Sequence, residues 1–538
     1  MLRKHLRVLL AFVALPALSA PPDPPAVTTG ANIKQLRFDW NYVPRANWYE
    51  LWFRANAGAA EAKFGEVPSW RPRVTSSVSA HLLDWPAARY RVKACNPGGC
   101  TASPPISVAD LMFDSIGYFK GNPSRGGANY GWAVDVSEDG NTMAVLAIME
   151  PNDSGTNPDG ASIYIYVKSG GAWRQQAKLR LDPDGYDDDD VASLSLSGDG
   201  NVLALGLPFS LYKPPALGGG TGGVFLFRRN GTTWSQEQRI EHAYNQDFFG
   251  YPVEVDESGD TLLVGHGSNG RGGDDGRAWI YQHGATGWSQ AKELPPPDGF
   301  DCQVMTLSGD GNTVARGCQQ PGQQNHRLEV YAAPTWAPIL TRTYLLGVDR
   351  QYEDISTDYS ASVIALSEMP AIRHPDNRRW VYLCYKVDGA YPDDASDTLS
   401  GPWQKWHEDK YGVTRFGEHV AVSRNADFIA VTDANDSGAG AGVLSYPLAK
   451  GTRASGAVFV YERKSSPYYA HGYYGLRRIL KPNVPGSATA SFDGVDIAFG
   501  QAGKTLAVTQ PFETSRASGI DGDRTDTSLP SAGAVWLY

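Results

Sequence analysis

Apolar and polar residues alternate along most of this chain with a period of two, which predicts β-strands, and one hairpin pattern recurs. The stretch LSLSGDGNVLALGLP, from Leu194 to Pro208, has two apolar strands around a polar turn that contains glycine. Close variants of this stretch begin at Val134, Val253 and Met305. A hairpin repeated this often predicts a repeat architecture.

Each hairpin is followed by a loop of variable length, a third strand of alternating aromatic and β-branched residues, a short turn and a fourth strand that often carries Trp. Seven such units are recognisable, with first turns near Gly140, Gly200, Gly259, Gly311, Ser360, Ala426 and Gly503. Four short antiparallel strands in each of seven units predict an all-β fold, a seven-bladed β-propeller, with an open solenoid as the alternative.

The last unit reaches Tyr538 after only three strands, while residues 109–121 (ADLMFDSIGYFKG) belong to no unit. We expect residues 109–121 to supply the missing outer strand by pairing with residues 533–538. The predicted propeller domain therefore covers residues 109–538, closed by its own N-terminal segment.

The first 20 residues predict an export signal, because Arg3, Lys4 and Arg7 precede an apolar run that ends in Ser19 and Ala20. Residues 21–30 form a Pro-rich lead. No other stretch reaches the roughly 18 uncharged apolar residues of a membrane span. We expect a monomer without a transmembrane segment, secreted or held at the cell surface.

Charge and cysteine content narrow the function classes. The 58 acidic and 48 basic side chains give a net charge of −10, which argues against nucleic acid as a partner.

Five cysteines in an exported chain predict disulfides. Cys302 and Cys318 lie symmetrically about one turn, and Cys95 and Cys100 enclose a short loop, which leaves Cys384 as a buried thiol.

Residues 31–108 resemble a fibronectin type III domain, a small β-sandwich. The resemblance lies in Trp40 in an early strand, Tyr49 and Leu51 in the next, and Tyr90 at the start of YRVKAC. It implies that Tyr90 is the corner tyrosine, and bacterial members of the family often carry the Cys-x4-Cys seen here. Any other small β-sandwich is the alternative.

Residues 110–538 resemble the FG-GAP repeats of integrin-α propellers. Phe249-Gly250 and Phe416-Gly417 match the first half of the motif, Tyr130-Gly131 nearly does, and Gly206–Pro208 (GLP) is what is left of the second half. The fifth unit has lost most of the motif. The resemblance implies calcium bound by acidic loops, and the candidates are Asp182, Asp184 and Asp187, with Asp521–Thr527 as a second loop. Solvated charge is the alternative.

Loop lengths and motifs favour recognition over catalysis. The loops after second and fourth strands are long and lie on one face of a propeller, and they include 149–160, 207–222, 369–379, 433–456 and 510–532. The opposite face is expected to carry only short glycine-containing turns. No hydrolase, zinc or phosphate-loop motif is present. His419 is interpreted as a packed or exposed structural residue, with a catalytic base as the alternative, and Trp403 and Trp406 as packing residues, with stacking on sugars as the alternative.

The sequence predicts an exported, non-enzymatic binding or adhesion module whose long-loop face recognises an extracellular protein or glycan. No catalytic residue and no cofactor other than calcium is predicted. Two alternatives stay open: a carbohydrate-active propeller enzyme, either a lyase or a hydrolase, and a structural protein of envelope assembly. A pair of carboxylates gathered from distant units would support the enzyme, and sequence spacing does not reveal such a pair.

Overall fold

A computed structural model describes most of the chain, which divides into two compact units. Residues 1–80 and 84–111 form the first unit, and residues 81–83 and 112–538 form the second. The residues outside the description are 1–19, 69–72, 80–81, 151–159, 182–191, 212–220, 242–248, 267–275, 346–349, 371–378, 393–395, 400–414, 447, 449–454 and 483–495.

The first unit consists of two sheets. One has the strand order β1-β2-β5, and the other has the order β4-β3-β6-β7 with β8 also paired to β6. Part of the Pro-rich lead is structured, because β1 begins inside it. The strands are β1 Val27–Asn32, β2 Gln35–Asn41, β3 Trp48–Arg54, β4 Ala62–Pro68, β5 Arg73–Ser79, β6 Arg89–Asn96, β7 Gly99–Ala102 and β8 Ile106–Ser107, with 3-10 turns at Leu82–Asp84 and Ala109–Leu111.

Aromatic contacts join the two sheets of the first unit. The rings of Phe38 and Tyr90 are 5.1 Å apart between centroids, and those of Trp40 and Tyr49 are 5.3 Å apart. The hydroxyl of Tyr49 accepts a hydrogen bond from the Val43 amide at 2.8 Å. Tyr90 is buried, but it is Tyr49 that makes the described bond to upstream backbone expected of a corner tyrosine.

The second unit contains seven sheets in its described residues, numbered here 1 to 7 in chain order. Helix α1 (Met112–Ser115) and strand β9 (Gly117–Phe119) precede them. Sheets 1 to 4 are each built from four consecutive strands: β10 Tyr130–Val136, β11 Thr142–Glu150, β12 Gly160–Ser169 and β13 Ala172–Leu181; β14 Ser193–Leu196, β15 Val202–Leu211, β16 Thr221–Asn230 and β17 Thr233–Glu241; β18 Phe249–Val255, β19 Thr261–His266, β20 Ala278–Gly284 and β21 Gly287–Leu294; β22 Asp301–Leu307, β23 Thr313–Gln319, β24 Asn325–Ala332 and β25 Ala337–Leu345.

Sheets 5 to 7 follow the same plan with two additions. Sheet 6 has a fifth strand, β32, paired to β34, and sheet 7 takes β9 as its fourth strand. The strands are β26 Arg350–Thr357, β27 Val363–Pro370, β28 Trp380–Tyr385 and β29 Ser396–Leu399; β30 Phe416–Val422, β31 Phe428–Asp433, β32 Gly442–Leu444, β33 Ala457–Lys464 and β34 Tyr473–Lys481; β35 Ile497–Gly500, β36 Thr505–Gln510 and β37 Ala534–Leu537, with a 3-10 turn at Gln501–Gly503 between β35 and β36.

The first strands of the seven sheets form a cycle. Each one contacts the first strand of the next sheet, from β10 through β14, β18, β22, β26 and β30 to β35, and β35 contacts β10 again. Apolar side chains from neighbouring sheets share common cores. Sheets arranged this way around an axis are a β-propeller.

The recurring S-x-D-G-N phrase is explained by local hydrogen bonds. In sheet 1, Ser137 Oγ is 2.6 Å from Asp139 Oδ1 and accepts the Thr142 amide at 2.9 Å, while Gly140 has a φ of 68°. The same bonds recur at Ser197 and Ser308. The left-handed position of the fifth turn is Ala361 rather than Ser360.

The N-terminal strand of the second unit pairs with the last strand of the chain, as the sequence predicts. Strand β9 runs antiparallel to β37, with Tyr118 opposite Trp536. Their rings are 4.6 Å apart, and both side chains are fully buried. Nearby, Lys120 Nζ forms a buried ion pair with Glu513 Oε2 at 2.5 Å.

Glycine at Gly206, in the GLP stretch, is required by close packing of neighbouring sheets. A Cβ atom at this position would lie 1.8 Å from the Gly250 carbonyl oxygen of sheet 3. Gly250 itself, the glycine of a Phe-Gly pair, has a φ of 106°, which a larger residue rarely adopts. Both glycines therefore serve the junction between sheets 2 and 3.

Candidate functional site

The ring of first strands encloses a central channel of about 740 Å³, lined by residues of all seven sheets. Each first strand begins at the end of the channel where the long loops enter and ends at its short turn. The channel therefore has two different ends, a loop end and a turn end. The side chains that border it are the candidates for binding or chemistry.

Three aspartates along the channel wall link neighbouring sheets. Asp135, Asp354 and Asp496 each accept the next residue's backbone amide through Oδ1, at 2.7 to 2.8 Å. Through Oδ2 they accept an amide of the following sheet: Leu196 at 2.7 Å, Val420 at 2.8 Å and Val134 at 2.9 Å. Both oxygens of each carboxyl group therefore hold backbone in place.

Glu254 makes the same kind of link from sheet 3 to sheet 4. Its Oε2 accepts the Leu307 amide at 2.6 Å and the Thr306 hydroxyl at 3.0 Å. Serine replaces the carboxyl group between sheets 2 and 3, where Ser195 Oγ accepts the Val255 amide. Between sheets 5 and 6, Ser356 Oγ accepts the Val422 amide in addition to the Asp354 link. These links join the first strands of neighbouring sheets side to side.

Enclosure by protein makes the channel carboxyl groups weak acids. Loss of solvation raises the pKa of Glu254 and of Asp354 to about 8, that of Asp135 to about 7 and that of Asp496 to about 6. Repulsion between these groups acts in the same direction. Amide donors oppose the rise without overcoming it.

His419 lies in the channel wall beside Asp354 but does not form a catalytic pair with it. Burial, with Arg415 nearby, lowers the pKa of His419 to about 4, so the imidazole is neutral at ordinary pH. Its Nδ1 is 3.7 Å from Asp354 Oδ2, beyond hydrogen-bond reach. The imidazole packs against a carboxyl group that is itself largely protonated.

An ionic bridge spans the turn end of the channel. Arg424 of sheet 6 donates through Nε to both oxygens of Glu257 of sheet 3, at 2.8 and 2.9 Å, and lies 3.7 Å from Glu138 of sheet 1. Its guanidinium also covers the Tyr359 ring at 4.1 Å. Desolvation, together with repulsion from Glu257, raises the pKa of Glu138 to about 7.

The loop end of the channel has aromatic and unpaired polar groups. Phe512, which is 39% exposed, meets Trp132 edge to face at 6.5 Å. Gln303 borders the channel and is buried, and its Oε1 has no hydrogen-bond partner in the described part of the chain. Arg379 is buried, and its Nε and Nη1 likewise have no hydrogen-bond partner among the described residues, although its charge interacts with Glu353, Glu418 and Asp433.

The predicted calcium ligands Asp182, Asp184 and Asp187 lie outside the described residues, as do Trp403 and Trp406. In the second acidic loop the carboxylates hold local structure: Asp521 accepts the Tyr118 amide, Asp523 the Thr525 amide and Asp526 the Ser528 amide. The one group of described His, Cys, Asp and Glu side chains close enough to share an ion is Glu50, Cys95 and Cys100. Its two cysteines are bonded to each other, so they offer no thiolate.

Both predicted disulfides are present, Cys95–Cys100 and Cys302–Cys318, and Cys384 is a buried free thiol. The expectation for loop lengths was wrong in one respect. The turn face carries two longer connections, 386–395 in sheet 5 and 465–472 in sheet 6. The described helices include none long and apolar enough to cross a bilayer.

Sequence reasoning missed the channel carboxyl groups and the Arg424 bridge, because their partners lie on other sheets. A signal for the carboxyl groups exists in the sequence. Asp135 and Glu254 interrupt apolar first strands as VDV and VEV, where the neighbouring side chains are packed in sheet cores. A charged residue between two core valines, repeated at the same place in two units, predicts a shared inward position.

No protein-family model and no curated protein matches the chain. Among solved structures, hydrazine synthase from Kuenenia stuttgartiensis is 11% identical, with 75% of this chain and 98% of that chain covered and a TM-score of 0.44. The β-propeller domain of the Trilobed protease from Pyrococcus furiosus is 10% identical, with 70% and 88% covered and a TM-score of 0.39. Prolyl oligopeptidase B from Galerina marginata is 10% identical, with 91% and 57% covered and a TM-score of 0.41. Likeness at this level says nothing about what this chain binds.

Proposed function

We propose that this chain is an exported, non-enzymatic binding module built from a fibronectin type III-like domain and a closed seven-bladed propeller of the FG-GAP type. The cycle of seven first strands and the pairing of β9 with β37 support the closed ring. The positive φ of Gly131, Gly250 and Gly417 supports the repeat type, because all three follow the aromatic residue of the motif. Two disulfides support an oxidising compartment outside the cytosol.

The binding site proposed here is the loop end of the channel, and the observation that carries it is a contrast in hydrogen bonding. Along the channel wall, the oxygens of Asp135, Asp354 and Asp496 are already bonded to backbone amides. At the loop end, Arg379 and Gln303 keep buried polar atoms without hydrogen-bond partners in the described chain. Such atoms cost stability unless something pairs with them, and a ligand with hydroxyl or carboxylate oxygens would do so for Arg379.

Arg379→Met tests the ligand role of the guanidinium. Methionine keeps much of the side-chain volume, but the change also removes a charge that interacts with Glu353, Glu418 and Asp433, so some loss of stability is expected as well. We expect weaker binding to an immobilised panel of glycans, collagen and fibronectin at a temperature well below the melting temperature of the variant, where its fold is retained. Phe512→Ala should also weaken binding, whereas Phe64→Ala, an equally exposed aromatic of the first unit, should not. Wild-type binding by Arg379→Met, or no binding by the wild-type protein, would contradict the proposal.

A carbohydrate-active enzyme is the second candidate, and one observation favours it. The pKa of Asp354 and that of Glu254 are both raised to about 8, so both carboxyl groups carry a proton at neutral pH, as a general acid of a glycosidase does. Against it, Asp354 uses both oxygens on backbone amides. Turnover by the purified protein is the deciding observation.

A further inference from the structure

The connections between the third and fourth strands of sheets 5 and 6 are longer than those of sheets 1 to 4. The connection spans 170–171 in sheet 1, 231–232 in sheet 2, 285–286 in sheet 3 and 333–336 in sheet 4, but 386–395 in sheet 5 and 465–472 in sheet 6. The connection of sheet 6 lies on the turn face, away from the loop end of the channel. We call residues 465–473 (SSPYYAHGY) the tyrosine loop.

The tyrosines of this loop are exposed to an unusual degree. Tyr468 is 88% exposed, Tyr469 57% and Tyr473 43%. Other large exposed hydrophobic residues of the described chain, such as Tyr42 and Ile339, are far apart in the sequence. A group of large rings that contributes nothing to a core is characteristic of a contact surface.

Hydrogen bonds hold the backbone of the tyrosine loop. Ser466 Oγ accepts the amides of Tyr468 and Tyr469 at 3.1 and 3.2 Å. The Gly472 amide donates to the Tyr469 carbonyl at 3.0 Å, and Arg463 Nε donates to the His471 carbonyl at 3.0 Å. The loop is thus a fixed platform, which would lose little freedom on binding.

A stack of rings connects the platform to the core. His471 lies 4.2 Å from the Tyr385 ring with an angle of 14° between the planes, and 5.4 Å from the Tyr469 ring with an angle of 22°. Tyr385 is fully buried among the shared core of sheets 5 and 6. The stack fixes the direction in which the Tyr469 ring faces.

We propose that the tyrosine loop is a carbohydrate-binding platform on the turn face, separate from the binding site proposed at the loop end of the channel. The negative face of an aromatic ring attracts the weakly positive C–H groups on the face of a pyranose ring, and phenol hydroxyls can bond sugar hydroxyls. The strands that flank the loop fit this chemistry, since Glu462 and Lys464 of β33 and Arg477 of β34 supply charged hydrogen-bonding groups.

Composition favours a sugar over a protein partner. The tyrosine loop has no aliphatic side chain larger than proline beside its rings. Protein-binding hot spots, by contrast, are centred on anchors that enter well-packed apolar pockets. Exposed tyrosines with polar neighbours in the sequence are better suited to the ring faces of a polysaccharide.

The test compares the full-length protein with Tyr468→Ala/Tyr469→Ala in sedimentation with insoluble cellulose, chitin and peptidoglycan, and on a glycan array. We expect the wild-type protein to bind at least one of these and the double variant to bind about tenfold more weakly, as when other stacking rings are removed. Tyr468→Phe/Tyr469→Phe keeps both ring faces and should retain most of the binding. Tyr42→Ala, another exposed tyrosine, should bind like the wild type.

The platform would be overturned if the wild-type protein bound no carbohydrate, or if the alanine double variant bound carbohydrate fully at an unchanged melting temperature. It would also be overturned if the double variant kept carbohydrate binding and lost only the binding of a protein. Arg379→Met and Phe512→Ala report on the loop end and should leave binding by the tyrosine loop intact. The two proposals can therefore fail independently.

Discussion

At the level of single residues, the channel carboxyl groups have raised pKa values and also hold neighbouring sheets together through hydrogen bonds to backbone amides. Asp354 accepts the amides of Ile355 and Val420 and so joins sheets 5 and 6. A carboxyl group can accept two such bonds in either protonation state, whereas an asparagine side chain can accept only through its single oxygen. The position is therefore selective for a carboxyl group without any need for catalysis.

Folding stability should fall as pH rises from 6.5 to 9. An acid whose pKa is about 4 when unfolded and about 7 or 8 when folded binds more protons in the folded state, so its stabilising effect is lost as pH rises through the folded value. Asp135, Glu254 and Asp354 act in this direction. His419, with its pKa lowered to about 4, opposes them only between pH 4 and 6.5.

The check is the melting temperature across this pH range, with Asp354→Asn as the matched variant. The variant should be less stable by about 1–3 kcal/mol, because one amide loses its acceptor, and its melting temperature should vary less with pH. Asp298→Asn, at an exposed position, should follow the wild type. A wild-type melting temperature that is flat or rises from pH 6.5 to 9 would contradict the assignment of protonated carboxyl groups.

At the level of elements, local chemistry made the hairpins predictable from sequence. The bonds of Ser137 and Asp139 lie within a few residues of one another, so the phrase alone indicates the turn. The inter-sheet links are not local: Asp496 bonds Val134, far away in the chain. The tyrosine loop was not predicted from the sequence, since only short turns were expected on its face, and its direction depends on the stack on Tyr385 from another sheet.

The disulfide of sheet 4 should stabilise its first hairpin. Cys302 and Cys318 are opposite each other on β22 and β23, and a closed loop of about 15 residues is worth about 3 kcal/mol in the chain-entropy estimate. We expect Cys302→Ala/Cys318→Ala to lose an amount of this order in denaturant unfolding. Reduced wild-type protein should unfold at lower denaturant concentration than the oxidised protein. Denatured, unreduced protein should show one reactive thiol per chain, from Cys384, and three or more would refute the pairing.

At the level of the whole molecule, two ends of the second unit meet in sheet 7. Tyr118 of β9 and Trp536 of β37 are buried in contact, and Tyr118 Oη is 2.6 Å from Ser515 Oγ. Each change to alanine should cost about 3–5 kcal/mol through the cavity it leaves. The double variant should lose about 0.5–1.5 kcal/mol less stability than the sum of the two single losses, because the contact between the two rings is lost only once.

Trp288 of sheet 3 provides the control for this cycle, since it is also buried and lies in a different core. Trp288→Ala combined with Trp536→Ala should be additive. Additive losses for Tyr118 and Trp536 would mean that β9 does not close the ring in solution. The sequence indicated this closure because the last unit lacked a strand and residues 109–121 belonged to none.

Recognition without turnover is the property that distinguishes the proposed module from the enzyme alternative. Turnover is measured by incubating the wild-type protein, Glu254→Gln and Asp354→Asn with a panel of polysaccharides and peptides and analysing the products. We expect binding by the wild-type protein and no products from any of the three. Products formed by the wild-type protein and abolished by either single substitution, with folding retained, would make the channel an active site and the binding-module proposal wrong.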